Sequence, residues 1–151
     1  MTNRIYPPDQ LNEDAYQEDD GTMPDNVARL EKALIGRKII KAEKKTATFY
    51  NGYYDDTKTG LVLTLDNNQQ YIIADTNDCC AFTDLDKFLL HPENIDHAIT
   101  SVETQGGYTK WFILADMAHV LDLEVSWSCG NPFYYGYGFD IAVINPNTQE
   151  S

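Results

Sequence analysis

Between residues 61 and 75 the sequence alternates with a period of two, turns, and returns as a second strand. Leu61, Leu63 and Leu65 recur against Val62 and Thr64, Asp66-Asn67-Asn68-Gln69 supplies polar turn residues, and Gln70 to Ala74 returns. Side chains two apart share one face of a strand, so this pattern is that of a β-hairpin with a buried face. The same period marks Arg37 to Tyr50, where Ile40, Ala42 and Lys44 alternate with Ile39, Lys41 and Glu43, a strand with one wet face. It returns where Leu121, Leu123, Val125 and Trp127 alternate with Asp122, Glu124 and Ser126, a strand whose outer face is acidic.

Other segments fill in around these. Ile99 to Glu103 reads as a strand, Gln105-Gly106-Gly107 as a turn, and Tyr108 to Asp116 as a central strand, apolar on both faces around Trp111, Phe112, Ile113 and Leu114. Phe139, Ile141 and Val143 supply the last strand, while Asn51-Gly52 is a turn continued by a polar loop from Tyr53 to Gly60. A helix is predicted from Pro24, with Asp25 at the positive end of its dipole and Val27, Leu30 and Leu34 inward, stopped by Gly36. A second is predicted over Thr83 to Leu90, with Thr83 as N-cap, Asp86 three residues on, and Leu85, Phe88 and Leu89 inward, ended by His91-Pro92. The expected architecture is α+β, a mainly antiparallel sheet of about six strands with two peripheral helices. It forms one domain over residues 24–144, between an acidic extended N-terminal arm (1–23) and a C-terminal tail (145–151). The arm holds Pro7-Pro8 and five acids between Glu13 and Asp20, a composition too poor in apolar residues to order itself.

Charge narrows the partners. With 24 acids against 11 Lys and Arg in 151 residues, the net charge is -13. Such a surface repels phosphate backbones and anionic bilayers, so neither a membrane nor general nucleic-acid binding is expected. The charge is uneven: residues 1–26 carry a net of -6, residues 27–58 a net of +4, and the remainder a net of -11. The reversal creates a basic band that includes Lys38, Lys41 and Lys45. Solvated faces explain such blocks, and a locally held anion is the functional alternative. No window is apolar for the roughly 18 to 20 residues a bilayer requires, and the N-terminus lacks the apolar region of an export signal. The three cysteines, two of them adjacent, cannot form a disulfide framework, so a cytoplasmic location is expected.

No catalytic signature is present. Asp75, Asn77 and Asp86 could stand at positions 1, 3 and 12 of a calcium loop, but Cys80 occupies the place of the turn glycine and Asp86 that of the bidentate Glu. Cys79 and Cys80 are adjacent, against the Cys-x2-4-Cys spacing of zinc sites, and His91, His97 and His119 lack the i, i+4 spacing of a helical zinc pair. Hence neither metal nor cofactor is expected. A catalytic Cys-His pair would need a lowered thiol pKa, which acidic neighbours oppose.

Most suggestive is the aromatic run Trp127, Phe133, Tyr134, Tyr135 and Tyr137, interleaved with Gly130, Gly136 and Gly138, with a second patch at Tyr53 and Tyr54. Tyrosines bury a large area at small entropic cost, and loops of this kind dock partners or planar ligands. The plain alternative is a hairpin whose tyrosines pack on their own sheet.

The order Gly36-Arg37-Lys38, an aspartate-containing hairpin tip, Tyr71-x6-Asp78-Cys79-Cys80, Tyr108-x2-Trp111-Phe112, then Ser126-Trp127-Ser128 with Asn131 and Tyr134-Tyr135 behind it, resembles a family of small uncharacterised domains of bacteriophages and bacteria. The likeness spans residues 34–144. The chain departs from that pattern at Ala81, where Glu is common, and at Gly130 to Tyr135, where the family tends toward Ser-Asn-Gly-Tyr-Tyr. The resemblance implies a phage-type accessory product and carries no activity with it. Three roles are therefore compared: a non-enzymatic domain binding a host protein, a nucleotide-sequestering protein using the tyrosines and the basic band, and an acidic DNA mimic. The first is preferred.

Overall fold

In the computed structural model, which describes residues 4–11, 21–77, 80–129 and 137–144, the alternating segments sort into two antiparallel sheets. Helix α1 (Thr22–Leu34) precedes β1 (Ile39–Tyr50), β2 (Asp55–Leu65), β3 (Gln70–Ala74), β4 (Thr76–Asn77) and β5 (Phe82–Leu90). A single 3-10 turn (Pro92–Asn94) leads into β6 (Ser101–Gln105), β7 (Lys110–Ala115), β8 (Ala118–Ser128) and β9 (Asp140–Val143). The first sheet runs β1-β2-β3-β9 and the second β4-β5-β8-β7-β6.

The mostly antiparallel α+β character agrees with the sequence reading, and two details do not. Among the described residues there are nine strands and one α-helix, against about six and two expected. The predicted second helix is strand β5. Its register with β8 slips at Asp86, between the pairs Leu85↔Val125 and Lys87↔Glu124. One extra residue reverses the alternation, so Leu85 and Phe88 both pack on the core, a spacing of three that mimics a helix turn. Leu89, expected inward, is 59% exposed. The predicted polar loop Tyr53 to Gly60 is likewise shorter, because β2 already begins at Asp55. Threonine pairs across the ladder, Thr46 with Thr59 (2.7 Å) and Thr48 with Thr57 (2.8 Å), hold that extension.

One core lies between the sheets. Leu61, Leu63, Leu65 and Ile73 of the first sheet meet Leu85, Trp111, Ile113, Leu121, Leu123 and Val125 of the second. Helix α1 adds Met23, Leu30 and Leu34 and lies against the outer strands β6 and β9, covering the seam. It begins at Thr22, two residues before the expected Pro24. On the far face of the first sheet, Ala47, Phe49, Val62, Ile72, Ala74 and Ile144 form a smaller cluster. The sheet curls until its outer strands meet at a bridge between Phe49 and Ile144. At the tightest point stands Gly60, where a Cβ would lie 2.5 Å from the Ile73 carbonyl oxygen and 2.9 Å from Ala74 Cα.

Candidate functional site

The residues singled out by sequence go to different places. Trp127, on β8, is a core side chain, 5% exposed, stacked on Tyr137 at 5.7 Å with its Nε1–H donating to the Gly107 carbonyl (2.8 Å). Phe133, Tyr134 and Tyr135 lie outside the described residues. Lys41 and Lys45 flank Glu43 at 3.1 and 3.8 Å, so part of the basic band is neutralised within β1. By alternation these lysines share the face of Val62, whereas Trp127 lies with Leu61 and Leu63 in the core between the sheets. The structure thus puts Lys41 and Lys45 on one side of the first sheet and the Trp127–Tyr137 stack on the other. Lys38 is exposed just ahead of β1, and its carbonyl accepts from Asp66 N–H.

Tyr53 and Tyr54 behave differently. They cap the β1–β2 hairpin, where Asn51 Oδ1 accepts from the backbone N–H of both (2.9 and 3.1 Å) and Gly52 has φ 105°. Tyr53 is 89% exposed, Tyr54 61% and the neighbouring Tyr50 57%. Three aromatic rings therefore stand in solvent at a tip whose backbone is fixed by an Asx turn.

A second constellation involves the N-terminal arm, whose described residues 4–11 lie along β6 and over the β6–β7 turn. Arg4 forks onto Glu31 of α1 (2.6 and 3.1 Å) and also donates to the Val102 carbonyl (3.1 Å). Glu103, 5% exposed, accepts from Ile5 N–H (3.0 Å), Tyr6 N–H (2.7 Å) and the Ser101 hydroxyl (2.8 Å). Farther along, the Asp9 carboxylate accepts from Gly107 N–H (2.9 Å) and Tyr108 N–H (2.7 Å). Gly106, Gly107 and Tyr108 all have positive φ, which turns successive N–H groups inward to form an anion nest. Pro7, Pro8, Pro24, Val27, Ala28 and Tyr108 contribute to the walls of a cavity of about 380 Å³ between this segment, α1 and β6.

Tyr6 carries the arm onto the outer face of the second sheet. Its ring stacks on Phe112 (4.8 Å) and its hydroxyl meets His119 Nε2 (2.7 Å). His119 Nδ1 meets Asp122 Oδ1 (2.7 Å), and Asp122 Oδ2 meets His91 Nε2 (2.9 Å). A carboxylate only accepts, so both imidazole nitrogens facing Asp122 carry protons. Burial first, then the negative charges of Asp122 and Glu103, holds the Tyr6 phenol above its ordinary pKa. That is opposite to what an activated phenolate needs, and the chain orients Tyr6 rather than ionising it.

Sequence reasoning separated His91 from His119 and missed this group. The register of β8 slips at Val120, which sets His119 and Asp122 on one face three residues apart. The available signal was the pair Val120-Leu121, two consecutive apolar residues, both fully buried, in an otherwise alternating run.

The acids of the calcium-like loop are engaged locally. Asp75 accepts from Leu85 N–H (2.8 Å) and Asp86 from the Ser126 hydroxyl. Desolvation first, then Asp75 and Asp86, raises the Asp84 pKa against the opposing pull of Lys44. Among the described residues no group of three His, Cys, Asp or Glu side chains could hold a metal, and no helix is long and apolar enough to cross a membrane. Cys80 is exposed and Cys129 buried.

Residues 32–141 match the model of a domain of unknown function, DUF7448. The chain belongs to the DUF7448 family. No curated protein and no solved structure matches the chain. The resemblance read over residues 34–144, to a family of uncharacterised domains, agrees with this extent. The DUF7448 region includes both sheets as far as Ile141, midway along β9, the tyrosine-tipped hairpin, Glu103, the nest and the His91–Asp122–His119 chain. Residues 4–11, which occupy the groove beside β6, lie outside it.

Proposed function

We propose that this DUF7448 protein is a non-enzymatic, phage-type accessory domain that binds a host protein in the cytoplasm of a bacterial cell. The exposed tyrosine tip carries this reading. Three rings at 57, 89 and 61% exposure, on a turn with a fixed backbone, match the large, rigid, amphipathic anchors that dominate protein interfaces. A net charge of -13 would steer such a domain toward a basic partner surface and make its association salt-dependent.

The nucleotide-sequestering alternative would need stacking aromatics beside free lysines. Trp127 is buried and Glu43 lies between Lys41 and Lys45, so the host-protein reading is preferred. Affinity capture from a bacterial host lysate, comparing the wild type with the Tyr53→Ala, Tyr54→Ala variant, tests the proposal. A protein held by the wild type at low salt, released as salt rises and absent with the variant, is the expected result. Retention of the same proteins by both forms, or of none, would exclude the hairpin tip as the anchor.

A further inference from the structure

We infer that the groove between α1, β6 and the β6–β7 turn is a peptide-recognition site, occupied in part here by the chain's own segment Arg4-Ile5-Tyr6-Pro7-Pro8-Asp9. Its external ligand is a partner segment of the same chemistry: an arginine, then a tyrosine and a diproline, then a carboxylate. The surface is separate from the hairpin tip, and the inference stands without it.

The groove reads a peptide at both ends and in the middle. Glu31 takes the guanidinium by two bonds, and the nest formed by Gly107 and Tyr108 takes the carboxylate five residues later. A point of opposite charge at each end fixes direction as well as register. Between them Glu103 receives two consecutive backbone N–H groups, while Phe112 and His119 receive the tyrosine ring and its hydroxyl. A diproline favours the extended polyproline conformation, which lowers the entropy lost on docking.

Two observations separate a recognition groove from ordinary packing. Glu103 is 95% buried, and two of its three bonding partners are backbone groups of the docked segment. A carboxylate so placed is suited to an extended backbone that arrives from elsewhere, since unpaired burial would be costly. Moreover Glu103, Gly107, Tyr108, Phe112 and His119 lie inside residues 32–141, while the occupant and the arginine anchor Glu31 lie outside. The family's domain carries the β6 and β6–β7 side of the receptor, α1 adds the arginine end, and this chain supplies its own competitor. Occupancy in cis reduces the apparent affinity for a partner by the fraction of open groove.

The test uses a fluorescent peptide with the sequence of residues 4–11 and the full chain. Arg4→Ala, Tyr6→Ala protein, whose own segment has lost two anchors, should bind the peptide at least about tenfold more tightly than the wild type. Adding Glu103→Gln should abolish that binding, and a peptide lacking both the Arg and the Asp should fail on every form. If the variant loses its near-ultraviolet circular dichroism, the same peptide is offered instead to otherwise wild-type chain cut at a protease site placed within residues 12–20. Exchange of the cut segment for the labelled peptide supports the inference. A folded variant or cut chain that neither binds nor exchanges overturns it, as does a dimer in light scattering built by trading segments, which would make a second copy the occupant.

Discussion

Gly60 shows how a single hydrogen in place of a methyl group lets two neighbouring strands approach closely. A Cβ there would meet backbone atoms of β3, not the movable end of a side chain, at 2.5 and 2.9 Å. Gly60→Ala is therefore expected to destabilise the fold by about 1 to 3 kcal/mol, as overpacking does, in urea unfolding. Asp84 illustrates the opposite case, a charge the fold tolerates rather than uses. Its folded pKa is raised, by desolvation first and then by Asp75 and Asp86, so its contribution to stability is present below the unfolded pKa and lost as pH rises through the folded one. Asp84→Asn should therefore raise stability at neutral pH, by up to about 0.5 kcal/mol, and the gain should fade as pH drops and vanish in unfolding measured below about pH 3, where the wild-type carboxyl is protonated in both states.

At the level of elements, two buried side chains fix the crossover into β9. Thr83 Oγ accepts from Gly138 N–H (2.5 Å) and Asn26 Oδ1 from Phe139 N–H (2.6 Å). Thr83→Val would leave a buried N–H without its acceptor, at a cost of about 1 to 3 kcal/mol in denaturant melts. Combined with Asn26→Ala, it should cost less than the sum of the two, because both release the same short segment. Neither anchor could be read from sequence, since each pairs residues more than fifty positions apart. The β2–β3 hairpin was legible because Leu61, Leu63 and Leu65 alternate, the tip is polar and Gln70 to Ala74 returns as an apolar run. Strand β5 was not, because the slip at Asp86 gave Leu85 and Phe88 a helical spacing. The tyrosine tip at Tyr53 and Tyr54 was legible as an exposed polar turn. Trp127 was read both as the end of a strand's alternating face and as part of the aromatic run, and its burial with the N–H donated to the Gly107 carbonyl favours the first.

Across the whole molecule, the acidic balance is partly internal. Asp9, Glu31 and Glu103 each hold backbone or guanidinium groups at the docked segment, so the -13 overstates the carboxylates offered to a partner. The two sheets also differ in how far apart their strands lie in sequence. The second is assembled from residues 76–128, whereas the first needs β9, whose Asp140 pairs with Ala74 sixty-six positions away. A chain ending at residue 138 should leave the β3 edge, with Ile72 and Ala74, open to intermolecular pairing, and light scattering should report aggregation. A monomeric product that unfolds cooperatively would contradict this. During synthesis the same gap becomes a delay. At roughly 5 to 20 residues per second, β3 waits about 3 to 13 s for its neighbour, long enough for the second sheet to form first and offer the nascent first sheet a surface on which to shelter.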